Sequence, residues 1–126
     1  MFFDTHAHYD DEQFDRDRDA LLGAMQEAGV VRIVNPGCTV DSSRAAVALA
    51  ARYDFMYAAV GIHPEECAGA AEEAFAAIEA LAAERKVVAI GEIGMDYYWE
   101  ENPPREEQKE VFARQLALAE KLDLPV

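Results

Sequence analysis

Short apolar runs that alternate with helical segments constrain the fold of this chain more than any other feature of its sequence. The runs begin near residues 2, 30, 55 and 87, so successive starts are 28, 25 and 32 residues apart, the length of one strand-plus-helix unit. The strands are continuously apolar rather than alternating, which is typical of a parallel sheet with both faces covered. The sequence therefore predicts an α/β fold built from parallel βα repeats.

Helical spacing of apolar residues predicts four helices between and after these strands. We expect helices over residues 15–28, 41–53, 71–84 and 105–121, with Gly29 ending the first and Asp41 capping the second. The last helix should turn one apolar stripe inward. The residues of that stripe are Phe112, Gln115, Leu116, Ala119 and Leu122.

The chain has the length of one domain, and we expect residues 1–126 to form one. Leu124-Pro125-Val126, just past the last helix, is predicted to open a fifth strand. We therefore expect four βα units and the start of a fifth, about half of a (β/α)₈ barrel.

Charge and hydropathy exclude some functions. The 25 acidic against 11 basic residues give a net charge of −14, the wrong sign for holding nucleic acid on a basic surface, so attraction to a phosphodiester must be local. No apolar run is long enough to cross a membrane and no signal peptide is recognisable, which predicts a cytoplasmic protein. Cys38 and Cys67 fit neither a disulfide framework nor a paired-cysteine metal clamp, and we expect Cys38 to be inert filler.

His6 and His8 are the clearest sign of chemistry. In an extended strand, the side chains of residues i and i+2 share a face, so the imidazoles of His6 and His8 project on the same side. Two neutral imidazoles provide half of a first ligand shell for a divalent ion. The alternative is that one histidine is solvated and the other caps the strand. Asp4 and Asp11 flank the pair as further carboxylates.

Polar groups follow all four predicted strands. His6 and His8, Cys38, His63 and Glu92 fall at or just beyond the carboxyl ends of strands one to four. Parallel α/β barrels gather their active sites on that side. The sequence therefore predicts a shared site.

Glu92 lies in an apolar stretch, where a carboxylate is costly to bury without a cation. Metal ligation, bridging two ions, is the favoured interpretation, and a salt bridge to Arg32 is the alternative. His63 is interpreted as a substrate-side group, with metal ligation and loop pinning left open. On the same loop as Glu92, Asp96 is predicted to support the site and Tyr97 to stack on a base or only to pack.

Four ordered motifs resemble those of the TatD family of metal-dependent deoxyribonucleases, over the whole chain. They are Phe3-Asp4-Thr5-His6-Ala7-His8, Val60-Gly61-Ile62-His63-Pro64, Ala89-Ile90-Gly91-Glu92-Ile93-Gly94-Met95-Asp96-Tyr97-Tyr98, and residues 108–115 leading into Leu122-Asp123-Leu124-Pro125-Val126. The resemblance implies a TIM barrel that hydrolyses DNA phosphodiester bonds with one or two divalent ions (Mg, Mn or Zn). It also implies that His6 and His8 hold one metal, that Glu92 bridges two and that His63 lies near the substrate.

The resemblance also implies parts that this chain lacks. The family pattern has further ligands, two histidines and an aspartate, after strands five, six and eight, and a full barrel takes about 200–250 residues. We therefore expect one of three situations: a truncated protein, a homodimer that covers the open barrel edges, or a weakly active metal binder. A metal-dependent amidohydrolase and a non-catalytic half-barrel module remain the alternative functions.

Overall fold

Four parallel strands form one sheet in the order β1-β2-β3-β4 in the computed structural model, which describes all residues from 1 to 126. The strands are β1 (Phe2–Asp4), β2 (Val30–Pro36), β3 (Met56–Val60) and β4 (Val87–Ile90). Every neighbouring pair in the sheet is parallel and consecutive in sequence. The predicted fold of parallel βα repeats is confirmed.

A helix follows each strand, as predicted. The helices are α1 (Arg18–Glu27), α2 (Val40–Arg52), α3 (Glu72–Ala82) and α4 (Arg105–Leu122). Helix α1 begins three residues later than predicted because a short 3₁₀ turn, Glu12–Phe14, precedes it. None of the helices has both the length and the apolar character to cross a membrane.

The prediction that Asp41 caps helix α2 is wrong, because Thr39 is the N-cap. The Thr39 hydroxyl accepts a hydrogen bond from the Ser42 amide, and the Ser42 hydroxyl accepts one from the Thr39 amide. This reciprocal capping box satisfies amides that have no partner within the helix. Asp41 instead lies in the first turn, where its charge is favourable to the helix dipole.

The two faces of the sheet have different surroundings. One face packs against α2 and α3, and its side chains, such as Ile33 and Ala58, belong to the main hydrophobic core. Side chains on the opposite face, including Val34, Pro36 and Ala59, line an open groove of about 530 Å³. Consecutive residues of β2 and β3 thus alternate between core and groove, as in any strand.

The predicted inward stripe of α4 is partly wrong. Leu116 is 39% exposed, and Phe112 lines the open groove rather than the closed core. The buried side chains lie three or four residues after an earlier one, with Leu118 and Ala119 both following Gln115 at these spacings, which keeps them on one face of a helix with 3.6 residues per turn. These side chains are Gln108, Val111, Gln115, Leu118 and Ala119.

The two edge strands, β1 and β4, each have a neighbouring strand on one side only. Strand β1 has three residues, and the side chains of Phe2 and Phe3 are 66% and 60% exposed. At the other edge, the Ile90 amide donates to the Pro125 carbonyl at 2.9 Å. The segment predicted to open a fifth strand therefore lies beside β4, although it has no regular strand structure of its own.

Candidate metal centre

The two histidines after β1 bring their imidazole rings together. The Nε2 atoms of His6 and His8 are 3.1 Å apart, and the rings meet edge to face. The prediction that His6 and His8 lie in an extended strand is wrong. Strand β1 ends at Asp4, and both histidines lie in the loop that follows it. Asp4 holds this loop, because its carboxylate accepts the His6 amide at 3.1 Å.

Glu92 directs its two carboxylate oxygens toward different histidines. Oε2 is 3.2 Å from His6 Nε2 and 3.6 Å from His8 Nε2, whereas Oε1 is 3.7 Å from His63 Nε2. The alternative salt bridge to Arg32 does not form, because Arg32 is exposed and donates to the Val31 carbonyl. The Glu92 side chain is 31% exposed, so the cluster is open to solvent on one side.

Close approach of three strand ends positions Glu92. The Gly91 amide donates to the Val60 carbonyl at 2.9 Å, and the Glu92 amide donates to the Gly37 carbonyl at 2.8 Å. Gly61 allows this approach, since a Cβ there would lie 2.8 Å from Ile93 Cγ2 and 2.9 Å from the Gly91 carbonyl carbon. The loops after β2, β3 and β4 are thereby packed against one another.

His63 caps the short 3₁₀ helix Pro64–Glu66 through its ring. Its Nδ1 accepts the Glu65 amide at 3.2 Å, and its own amide donates to the Cys38 carbonyl at 2.8 Å. With Nδ1 occupied as an acceptor, the neutral ring carries its proton on Nε2, the atom that faces Glu92. In this tautomer His63 offers a hydrogen-bond donor to the site, not a lone pair for a metal.

Two side chains that sequence reasoning missed hold the loop after His8. Asn35 is fully buried; its Oδ1 accepts the Tyr9 amide at 2.6 Å and its Nδ2 donates to the Asp10 carboxylate at 2.7 Å. Arg18 donates to the Tyr9 and Asp11 carbonyls at 2.5 and 2.8 Å. For Asn35, the only sequence signal was a side-chain amide directly after the apolar residues of β2.

Asp96 and Tyr97 lie on the loop after Glu92 but make their contacts within that loop and with α4. The Asp96 carboxylate accepts the Tyr98 amide at 2.8 Å, while its backbone is bound by Gln108. The Tyr97 ring stacks under the Arg105 guanidinium, which is 4.5 Å from its centroid. Neither side chain belongs to the cluster of His6, His8 and Glu92.

Cys38 lies closer to this cluster than the sequence suggested. Its Sγ is 3.9 Å from Glu92 Oε2, and the residue is only partly buried. Burial, followed by the nearby Glu92 carboxylate, raises the pKa of the Cys38 thiol to about 11. The thiol of the metal-free protein is therefore protonated at neutral pH.

The donor atoms of His6, His8 and Glu92 fit a divalent ion. One donor from each residue lies within 4.8 Å of the others, and the three closest separations are 3.1, 3.2 and 3.6 Å. Ligands that bind one ion at about 2.0–2.2 Å lie about 3.0–3.5 Å from one another in octahedral or tetrahedral geometry. Two imidazoles and a carboxylate are also an ordinary donor set for first-row ions.

Comparison with known proteins identifies relatives over the full chain. Residues 3–126 match the model of the family described as TatD related DNase. The chain is 44% identical over 126 residues to YabD of Bacillus subtilis, described as an uncharacterized metal-dependent hydrolase. It is 38% identical over 124 residues to the 3'-5' ssDNA/RNA exonuclease TatD of Cronobacter sakazakii. These alignments cover 100% and 98% of this chain but 49% and 47% of the relatives.

Solved structures agree with the family match. The crystal structure of YJJV, a TatD homolog from Escherichia coli, superposes with a TM-score of 0.91 and 35% identity, covering 99% of this chain and 49% of that one. A TatD family hydrolase from Entamoeba histolytica shares the fold with a TM-score of 0.86 at 22% identity. The chain thus has the fold of half a TatD-type barrel and spans about half the length of the curated relatives it matches.

Proposed function

The chain belongs to the family of TatD-related DNases, and from this membership we propose that its cluster of His6, His8 and Glu92 binds divalent metal for the hydrolysis of DNA phosphodiester bonds. The single observation that carries the proposal is the triangle of donor atoms with sides of 3.1, 3.2 and 3.6 Å. A bound divalent ion supplies Lewis acidity, which polarises a phosphoryl oxygen and makes a nearby water more acidic.

The histidines and Glu92 have different proposed roles. His6 and His8 would hold one ion through Nε2, Glu92 would share that ion through Oε2, and the second oxygen of Glu92 would be the atom that bridges to another ion. Two imidazoles favour zinc over magnesium, because magnesium prefers an all-oxygen shell. His63 donates its Nε2 proton to a phosphate oxygen or to the leaving group.

Substrate contact extends to the exposed aromatic loop of Tyr97, Tyr98 and Trp99. The Tyr98 side chain is 79% exposed and that of Trp99 is 52% exposed, and their ring centroids are 4.7 Å apart. Exposed rings of this kind stack on unpaired bases, which contributes about 1–3 kcal/mol per base. Stacking supplies attraction that a chain with a net charge of −14 does not obtain from its overall field. Asp96 stabilises the conformation of this loop, because its carboxylate accepts a hydrogen bond from the Tyr98 amide.

Residues 1–126 form one domain, and a second copy of the chain covers the open edges of its sheet. The exposed Phe2 and Phe3 on one edge, Val126 at 70% exposure on the other, and the groove between them leave apolar surface uncovered. Two four-stranded halves together make the eight strands of a closed barrel. Light scattering tests this pairing: a monomer at micromolar concentration contradicts it. The proposed location is the cytoplasm.

Hydrolysis of single-stranded DNA with manganese, magnesium or zinc tests the proposed activity. We expect cleavage by the purified chain that requires metal and falls at least about 100-fold in Glu92→Gln, which keeps the shape of the side chain but not its charge. Asp41→Asn, which changes an exposed carboxylate on α2, is the matched control and should cleave normally. Equal rates for the wild type and Glu92→Gln contradict the proposal. A panel of cyclic amides run in parallel distinguishes an amidohydrolase.

A further inference from the structure

Asn35 is the only fully buried polar side chain of strand β2, and both of its polar groups bind the loop that carries His8. Its Oδ1 accepts the Tyr9 amide at 2.6 Å, and its Nδ2 donates to the Asp10 carboxylate at 2.7 Å. The backbone N–H of Tyr9 can only donate, so this pairing determines which way the side-chain amide points. A buried amide is costly unless its donor and its acceptor are both satisfied, and this loop satisfies both.

The backbone on both sides of His8 is anchored to β2. The Ala7 amide donates to the Val34 carbonyl at 3.2 Å, and the Tyr9 amide donates to the side chain of Asn35. Residues 7 and 9 are therefore bound to consecutive residues of one strand, which restricts the backbone of His8 between them. The side chain of His8 is 39% exposed, so packing around the ring does not by itself fix its position. The anchors on the backbone decide where the ring can lie.

Arg18 holds the same loop from the side of α1. Its Nε donates to the Tyr9 carbonyl at 2.5 Å, and its Nη2 donates to the Asp11 carbonyl at 2.8 Å. The Asp15 carboxylate accepts a further bond from this Nη2 at 2.7 Å, which orients the guanidinium. A guanidinium presents its donors in a rigid planar fork, so one side chain can bind several carbonyls at once. Arg18 and Asn35 thus bind the segment after His8 from two different elements.

We propose that Asn35, assisted by Arg18, is a positioning residue that holds His8 in place for a divalent ion before the ion binds. This inference rests on the proposed metal centre, in which His6 and His8 are ligands. Ordering a loop at the moment of binding costs conformational entropy, and a loop that is already held avoids that cost. Groups that orient metal ligands typically contribute about 10- to 100-fold to metal affinity. The bonds from Asn35 therefore raise the affinity of the chain for its ion, although Asn35 does not touch the ion.

Titration with cobalt(II), followed by the visible absorption of the bound ion, measures the metal affinity without a substrate. Asn35→Ala removes the side-chain amide and both of its hydrogen bonds, so we expect the dissociation constant for cobalt to rise about tenfold or more. Arg18→Met removes the second hold on the same loop and should raise this constant as well. Arg18 lies at the start of α1 and is partly exposed, so this variant decides the question alone if Asn35→Ala does not fold.

Ile78→Ala is the matched control, because it truncates a fully buried side chain on α3 and lowers the stability without touching the loop of His8. We expect this variant to bind cobalt with the affinity of the wild type. Unchanged affinity in the folded Asn35 and Arg18 variants overturns the positioning role and leaves the proposed metal centre intact. An equal loss of affinity in Ile78→Ala does the same, because affinity would then follow overall stability. A wild-type protein that binds no cobalt overturns both proposals.

Discussion

Gln115 and Ile62, 53 positions apart in the sequence, form a reciprocal pair of hydrogen bonds. The Gln115 Oε1 accepts the Ile62 amide at 2.7 Å, and its Nε2 donates to the Ile62 carbonyl at 2.9 Å. Gln115 is 1% exposed, so both hydrogen bonds are shielded from solvent. Through these bonds, helix α4 fixes the loop after β3 at Ile62, the residue just before His63.

Gln115→Leu should destabilise the protein. The substitution keeps the volume of the side chain but leaves the amide and the carbonyl of Ile62 buried without partners, which costs about 2–4 kcal/mol in the free energy of unfolding. Urea denaturation measures this difference. Gln26→Leu, an exposed glutamine on α1, is the control and should change the stability by less than about 0.5 kcal/mol. Equal stabilities of the two variants would contradict the assignment.

Gln108 holds the aromatic loop in a similar way, two helical turns earlier on α4. Its Oε1 accepts the Asp96 amide at 2.8 Å, and its Nε2 donates to the carbonyls of Asp96 and Pro103 at 2.9 and 2.8 Å. Gln108→Leu removes all three bonds, so the loop should become more mobile. Trp99 is the only tryptophan in the chain and lies on this loop, so its fluorescence anisotropy should fall.

The two glutamines serve as controls for each other in this experiment. Gln115→Leu releases a different loop and should leave the anisotropy of Trp99 unchanged while lowering the stability. An equal fall in both variants would show a global loosening of α4 and not a local release of the loop.

Gly37→Ala should destabilise the protein because there is no room for a side chain. An added Cβ would lie 2.2 Å from Ser43 Oγ and 2.5 Å from Ser43 Cα, so the backbone of α2 would have to move. We expect a loss of about 3 kcal/mol, the upper end of the range for overpacking. Gly23→Ala is the control of opposite sign. Nothing lies within 4 Å of the Cβ that it would add in α1, and an alanine there should stabilise the helix by about 0.5–1 kcal/mol.

Asp19 joins α1 to the end of α2, and its contribution to stability should depend on pH. The hydrogen bond from Tyr53, together with the Arg52 guanidinium at 3.0 Å, lowers the pKa of the Asp19 carboxyl. A carboxyl whose pKa is lower in the folded protein adds stability above its ordinary pKa of 3.8, and that stability is lost as the pH falls through the folded value. Asp19→Asn should therefore be less stable than the wild type near neutral pH.

Thermal unfolding followed between pH 7 and pH 2 checks this expectation. The difference between the wild type and Asp19→Asn should be constant near neutral pH and should shrink below pH 3.8. Tyr53→Phe removes the largest cause of the lowered pKa and should show a smaller pH dependence. A difference that is the same at every pH would mean that the charge of Asp19 contributes nothing.

The positions of the strands and the edge of the sheet that carries the polar residues were predictable from the sequence. The βα period placed all four strands to within a residue at their starts, and the polar residues at their ends indicated a shared site. The errors came from competing local signals. Thr39 and Asp41 both lie near the start of α2 and either side chain can cap a helix, and several apolar residues compete for the inner face of α4, where Leu116 is exposed.

Part of the candidate site could also be anticipated from the sequence, because the direction of a parallel strand determines the edge at which the residue after it emerges. His6, His8, His63 and Glu92 could each be assigned to that edge. Hydrophobic period and chain direction are properties of the local backbone, and the sequence states them directly.

Only the tertiary structure decided which atoms of that edge meet. The division of the Glu92 oxygens between His6 and His63, the approach of Cys38 to Glu92, and the bonds from Gln115 to Ile62 join residues 29 to 86 positions apart. Such contacts depend on how closely the strand ends pack, which the small size of Gly37 and Gly61 permits. Packing distances of a few tenths of an ångström are set by all the neighbours at once, and no local pattern encodes them.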